Sequence, residues 1–511
     1  MFGKKKDKKE KKPKKFNHIF YGIVLILSVA LIIITTWAKK RLNVSLEEVL
    51  FTLGTPLKDN GGDVIKDGLL RCLPAIISVL VLYIVWAILD IKKSEKIREF
   101  GNKIIKNEKF NLRLIIQNMI SVITLISLVF SIVYFYVQFG VMDYLTLKRM
   151  YTEIYDEKYV NPDDVVISKG ENGTKNLICI YLESMENMYS SKELGGNQEV
   201  NLIPNLTRYA QENISFSNSD KLGGFYGVTA TTWTIASLYS TTCGVPLKSV
   251  VDNSNTEQDT FASGITALGD ILEDNGYVQE FLCGSDGTYA GRATYFREHG
   301  NYKIFDLFSA REKGYIPEDY YVWWGYEDKY LYDIAKDELT ALAQGDKPFN
   351  FTMLTVDTHY PDGYVCDLCT EEYDSDVEKV VSCADKQINE FLNWCMEQDF
   401  YEDTVIIVMG DHTRMDVQLM DGVEESERTV YNCIINSGID KENINYNNRV
   451  FCAMDMFPTI LSAMGFEIEG DRLGLGTNLF SDKHTLLEEM GIAAFDDEIR
   501  KKSNYYDNNF K

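Results

Sequence analysis

The chain has 511 residues, 45% hydrophobic and 25% charged, with a formal net charge of -24. That length accommodates two or three domains, or one large domain plus a membrane part. The acidic balance argues against nucleic acid as a partner, because phosphate binding needs a broad basic face.

Residues 1–15 carry nine lysines against Asp7 and Glu10, so the rest of the chain sums to about -31. A basic tail (residues 1–16) suits the anionic headgroups of a cytoplasmic leaflet; a merely solvated charge run has the same composition. Three apolar runs follow, at about 20–38, 71–89 and 114–139, free of charge apart from Arg71 at the edge of the second. At ~1.5 Å rise per residue each can cross ~30 Å of hydrocarbon, which predicts three transmembrane helices in a membrane domain at 17–140. The first run lies too deep behind its lysines, and has too little cleavage-site character, to read as a removed signal peptide. The segment 91–113 carries six Lys and two Arg. With the basic tail it belongs in the cytoplasm, outnumbering Lys39, Lys40 and Arg41, which oppose that orientation. Everything after about Phe139 is then expected outside a multi-pass cell-membrane protein. The loop from Asn43 to Gly68 reads as an amphipathic helix, a Gly/Pro break and a second helical piece, lying on the bilayer or against the body.

Residues 141–165 read as a juxtamembrane linker, 166–485 as one catalytic domain and 486–511 as a C-terminal tail. Short apolar runs (NLICIYLES, EFLCG, FNFTMLTV, TVIIVMG, TVYNCIIN) alternate with helical patterns (IPNLTRYAQEN, ALGDILEDNG, ADKQINEFLNWCMEQD). Such alternation predicts an α/β domain with a mostly parallel sheet between helices, binding its ligand at the carboxyl ends of the strands.

NLICIYL runs into Glu183, with Glu186 as a rival one turn on. Next comes Ala230 to Leu247, ATTWTIASLYSTTCGVPL, where clustered threonines pass into a helical run closed by Gly244 and Pro246. Thr231 there is read as a covalent nucleophile at a helix N-terminus, whose free N–H groups suit a phosphate. The plain alternative is an N-cap. EFLCG leads to Ser285, Asp286 and Arg292, and FNFTMLTV leads to Asp357 and His359. TVIIVMG runs into Asp411 and His412. A carboxylate from one strand and an Asp–His pair from another supply O/N ligands for Zn²⁺ or Mn²⁺, with the Thr231 hydroxyl as the remaining ligand. Each residue has a bland reading (a turn, a surface ion pair, a satisfied histidine), and the combination is the stronger signal. Of ten cysteines, Cys366 and Cys369 form a CxxC with Cys383 behind. Inside a cell that pattern points to a redox or metal site; outside, one or two disulfides are expected, with no pairing legible.

The order LES, ATT, Arg, DTHYPDG and GDH resembles the membrane-anchored, sulfatase-like branch of the alkaline phosphatase superfamily. Over about residues 140–480 it is similar to the phosphoglycerol transferases, lipoteichoic acid synthases included. TIASLYSTTCGVPL, YAGRATYFREHG, LTVDTHYPDGYVCDLC and RLGLGTNLF carry the likeness. The resemblance implies that Glu183, Thr231, Asp411 and His412 hold one divalent metal, Mn²⁺ ahead of Zn²⁺. It makes Thr231, fifteen residues before Pro246, the nucleophile, and gives Arg292 and His359 to the donor phosphate. It implies transfer of glycerol phosphate from an anionic phospholipid, phosphatidylglycerol, to a cell-surface glycan or glycerol-phosphate acceptor through a phosphothreonine-type intermediate. Two departures stand out. Ala230 replaces the Gly or Lys often found before the nucleophile, which leaves Thr229, Thr232 and Thr234 in contention. Ala290, beside Tyr289, falls where relatives have an aromatic lining the glycerol pocket, so phosphatidylethanolamine is an alternative donor. A sulfatase C/S-x-P-x-R motif is absent. A non-catalytic lipid- or glycan-binding surface protein is the remaining alternative.

Overall fold

The computed structural model describes residues 16–42, 62–105, 111–248 and 260–510, with Ser45, Leu46, Val49 and Leu50 between the first two segments. The basic tail through residue 15 and most of the Asn43–Gly68 loop lie outside the described residues. The chain divides into two units, one of residues 1–40 and 65–141 and one of residues 41–64 and 142–511.

In the first unit α1 (His18–Trp37), α2 (Gly62–Lys92), α3 (Ser94–Ile105) and α4 (Leu112–Gln138) follow in order. Among the described residues three helices are long and apolar enough to cross a membrane, with mean hydropathies of 2.6, 2.6 and 2.3. Their large apolar side chains face outward, while Ser28, Thr35, Thr124 and Ser131 are buried between helices. Small and polar residues at such contacts let helices approach closely. Asp90 of α2 is buried and accepts from Arg113 Nε at 2.9 Å and Gln117 Nε2 at 2.7 Å, with His18 Nε2 at 2.9 Å. One carboxylate thus ties the three spans together, and its partners satisfy a charge that hydrocarbon would reject.

The second unit is built on a six-stranded sheet in the order β4-β3-β5-β2-β6-β7. Its strands are β2 (Asn176–Leu182), β3 (Val278–Cys283), β4 (Lys303–Phe305), β5 (Phe349–Leu354), β6 (Thr404–Gly410) and β7 (Asn432–Ile435). A short β1 (Ile167–Lys169) pairs elsewhere, with β8 (Phe466–Ile468). All neighbours in the large sheet run parallel except β6 and β7. Successive residues of β2 feed two cores: Leu177, Cys179 and Tyr181 one face, Ile178, Ile180 and Leu182 the other. A strand covered on both faces reads as a continuous apolar run, which is why NLICIYL and TVIIVMG are uninterrupted by charge.

Helices cover both faces, among them α5 (Pro204–Glu212), α6 (Thr234–Cys243), α7 (Arg292–Glu298), α8 (Asp328–Ala343) and α9 (Asp376–Met396). Val377, Val380, Val381, Ala384, Ile388, Phe391, Leu392 and Cys395 give α9 its buried stripe at helical spacing. The segment expected as a C-terminal tail folds instead into three short helices whose Phe495, Ile499, Tyr506 and Phe510 enter the first of these cores. The residues read as a linker also bury Ile154 and Tyr155 there. The expected disulfides are absent: all ten cysteines are free thiols.

Candidate active site

Three central strands, β5, β2 and β6, end side by side and deliver the site. Glu183 follows β2, and its N–H donates to Thr355 Oγ1 at 2.9 Å beyond β5. Ser184 takes φ 53°, a left-handed conformation unusual for serine, and so turns back on the strand end. From there its N–H donates to Asp411 Oδ1 at 2.8 Å and its hydroxyl donates to Glu183 Oε1 at 2.7 Å. Gly410 lets β6 come close enough: a Cβ there would stand 2.0 Å from the Met185 carbonyl.

Asp411 Oδ1 also accepts from the His412 N–H at 2.8 Å, while Oδ2 is buried without a hydrogen-bond partner. His412 Nδ1 lies 2.8 Å from the Thr413 carbonyl, which fixes Nδ1 as the protonated nitrogen and leaves Nε2 its lone pair. That Nε2 is 3.3 Å from Asp411 Oδ2 and 3.7 Å from Glu183 Oε1. A cation bound at ~2.1 Å by tetrahedral O/N ligands separates them by about 3.4 Å, so this donor set fits one divalent ion. Glu183, Asp411 and His412 come within 4.8 Å of one another, all buried.

The electrostatics point the same way. Burial pushes the Asp411 carboxyl up to about 7, reinforced by Glu183. Burial raises Glu183 too, but His359 and then His412 outweigh it and hold that carboxyl below its ordinary value. Two desolvated carboxylates facing one imidazole lone pair form a pocket for positive charge. Glu186, the rival carboxylate, is committed elsewhere: it accepts from Arg428 Nε at 2.9 Å and from the Arg414 N–H at 3.0 Å.

His359 is half-buried beyond β5, its Nδ1 2.6 Å from the Tyr360 carbonyl. Burial lowers its pKa, opposed by the Glu183 charge. Its ring stands 4.3 Å from that of Trp324, which lies 5.9 Å from Tyr289, and the Arg292 guanidinium sits 5.7 Å over the Tyr289 ring. Arg292, at the start of α7, is buried and donates from Nη2 to Ser285 Oγ at 2.9 Å and to the Asp286 carbonyl at 2.8 Å. An aromatic wall therefore connects the two expected phosphate-binding residues. Trp324 was not singled out in the sequence; its signal was the Trp–Trp pair in YYVWWGYED. Its indole N–H is buried without an acceptor.

The threonine segment differs from expectation in register. Helix α6 begins at Thr234, so Thr231 lies three residues ahead of it rather than at its first turn. It sits on a tight turn in which Ala230 takes φ 65°, and its hydroxyl donates to the Val228 carbonyl at 2.8 Å. The Thr234 hydroxyl approaches Glu183 Oε2 at 3.4 Å. Thr229 is occupied: its N–H and hydroxyl both donate to Asp496, at 2.6 and 3.0 Å.

Known proteins resemble this chain. The sequence model of the Sulfatase family matches residues 175–466. Phosphoglycerol transferase I of Xanthomonas euvesicatoria pv. vesicatoria (strain 85-10) is 28% identical over 344 residues, 65% of this chain and 47% of that protein. Phosphoglycerol transferase I of Salmonella newport (strain SL254) is 33% identical over 254 residues, 48% of this chain and 32% of that protein. The chain thus spans about half or less of these relatives' length. A crystal structure of an alkaline phosphatase superfamily protein from Vibrio parahaemolyticus aligns with TM-score 0.50 and 23% identity, over 68% of this chain and 80% of that one. That likeness is one of fold.

Proposed function

The chain belongs to the sulfatase family, and from that premise we propose that it is a phosphoglycerol transferase of the outer membrane surface of the cell. It takes glycerol phosphate from phosphatidylglycerol and passes it to a hydroxyl of a surface glycan or of a glycerol-phosphate chain. The observation that carries this reading is the buried meeting of Glu183, Asp411 and His412 at the ends of β2 and β6. Relatives named phosphoglycerol transferase support the choice of headgroup.

Glu183, Asp411, His412 and the Thr231 hydroxyl would hold one divalent cation, Mn²⁺ in our assignment. Bound there, such an ion supplies Lewis-acid charge that lowers the pKa of a ligated hydroxyl and offsets charge on phosphoryl oxygens. Thr231 Oγ is the nucleophile: it forms a bond to phosphorus, the bond to diacylglycerol breaks, and a phosphoglycerol-threonine results. The proton Thr231 gives up balances the one diacylglycerol gains, and in this reading His359 carries it from one to the other. Arg292 and His359 bind the donor phosphate from the two ends of the aromatic wall, Arg292 offsetting equatorial oxygen charge. In the second half the acceptor hydroxyl takes phosphorus and frees Thr231. Thr234, whose hydroxyl approaches Glu183, orients that carboxylate.

Incubating the purified full chain with vesicles of phosphatidylglycerol and phosphatidylethanolamine, then fragmenting its peptides by mass spectrometry, tests both claims. The expected adduct is glycerol phosphate on Thr231, absent from Thr231→Ala, which stays folded and metal-binding. Modification at Thr234 moves the nucleophile, a phosphoethanolamine adduct from phosphatidylethanolamine moves the donor, and full turnover by Thr231→Ala overturns covalent catalysis here.

A further inference from the structure

Outside the carboxylate site the described residues contain one other cluster with metal-ligating chemistry, and nothing in the transfer reaction uses it. Cys366 and Cys369 lie on the loop that follows β5, and Cys383 lies on α9. The Cys366 sulfur is 3.8 Å from that of Cys369 and 3.8 Å from that of Cys383, and the three sulfurs lie within 4.8 Å of one another. None is bonded to another. A zinc ion bound by thiolates at ~2.3 Å in a tetrahedron sets its sulfurs about 3.8 Å apart. A disulfide would close that distance to ~2.05 Å and strand the third cysteine.

A second observation concerns the polar atoms around the sulfurs. Gln387, one turn beyond Cys383 on α9, donates from Nε2 to the Cys383 sulfur at 3.4 Å, while its Oε1 is buried without a partner. Earlier on the same loop, outside the sulfur cluster, Asp357 is buried with both carboxylate oxygens unpartnered. Its backbone carbonyl accepts from the Tyr364 N–H at 2.7 Å, two residues ahead of Cys366. Buried polar atoms without partners are uncommon in native folds, and an ion among the sulfurs is one physical explanation for the Gln387 oxygen beside them.

We propose that Cys366, Cys369 and Cys383 bind one Zn²⁺ as thiolates, each thiol giving up its proton, with water in the fourth position on the half-exposed Cys369 side. The site is structural. It fastens the loop that carries Asp357 and His359 to α9, so it holds a phosphate-binding residue in place without touching substrate. The inference stands on sulfur geometry and is independent of the transfer reaction.

The test uses the full chain purified anaerobically in detergent. Zinc per chain is measured for the wild type, Cys369→Ser and Cys383→Ser, and zinc release by methyl methanethiosulfonate is followed with a chromogenic chelator. The wild type is expected to hold one more zinc than either variant and to release one equivalent as its thiols are blocked. Alkylation under denaturing, unreduced conditions should modify all ten cysteines. Equal zinc in all three proteins, or no release on thiol blocking, overturns the site. So does a wild-type mass with two cysteines unavailable, the mark of a disulfide. If the variants fail to fold, the release and alkylation measurements on the wild type still decide.

Discussion

The ammonium of Lys248 donates to the Lys501 carbonyl at 2.8 Å and lies over the rings of Tyr155 and Tyr506 at 4.7 and 5.3 Å. Burial pushes its pKa down to about 7; the positive charge of Lys148 adds to this and Asp507 opposes it. An unfolded lysine titrates near ~10.4, so between these values the unfolded chain binds the extra proton. Stability therefore rises with pH through that window. Melting temperatures of the wild type and Lys248→Met, compared from pH 7 to 10, should diverge in favour of the wild type as pH increases. A pH-independent difference would show that this lysine is not desolvated in solution. At the same scale, the threonine cluster marks the limit of what residues reveal by themselves. Four threonines in TATTWT are chemically equivalent on paper. Only the fold shows Asp496, from a segment read as a tail, occupying Thr229, and Thr234 turned to Glu183. Likewise the choice between Glu183 and Glu186 needed Arg428, which lies 242 residues from Glu186 in sequence.

Among elements, the loop after β6 is held by buried charge rather than by apolar packing. Arg414 donates from Nε to Asp416 at 2.8 Å and from Nη1 to the Thr358 carbonyl at 2.8 Å, so it spans the ends of β6 and β5. Its own N–H is received by Glu186, which Arg428 grips through Nε at 2.9 Å and Nη2 at 2.5 Å. Removing one member of such a buried pair leaves the other uncompensated, a loss of about 3–5 kcal/mol. Arg428→Ala should lower the unfolding free energy by that order in a denaturant titration, and weaken cation binding with it. The double variant Glu186→Gln, Arg428→Met should recover much of the stability, and an undiminished single variant would refute the argument. The sheet itself was legible because buried strands leave continuous apolar runs, and five of its six strands stood out that way. Strand β4 did not: KIF is three residues long and begins with a lysine that is ion-paired to Glu280 at 3.0 Å. Helix α9 begins well before its legible ADKQINEF pattern because the Ser375–Asp376 start sits in an acidic stretch without apolar rhythm.

At the scale of the whole molecule, the reaction assigned to the site has a requirement that the acidic body alone cannot meet. A lipid donor and a glycan acceptor occur together on the outer face of the membrane, so the catalytic unit must be exported. The three spans and their basic flanks are the feature on which that expectation rests. By the rule that positive loops stay in the cytoplasm, the transfer reading expects residues 91–113 inside and residues beyond the third span outside. Lys96 of α3 and Lys347, just before β5, are both exposed, and so can report the side on which each lies. In intact cells a membrane-impermeant maleimide should label Lys347→Cys above the parent protein's background. Lys96→Cys should remain unlabelled until the membrane is permeabilised. The reverse pattern would place the carboxylate site in the cytoplasm, where surface glycan is out of reach, and the transfer reaction proposed for Thr231 would have no acceptor.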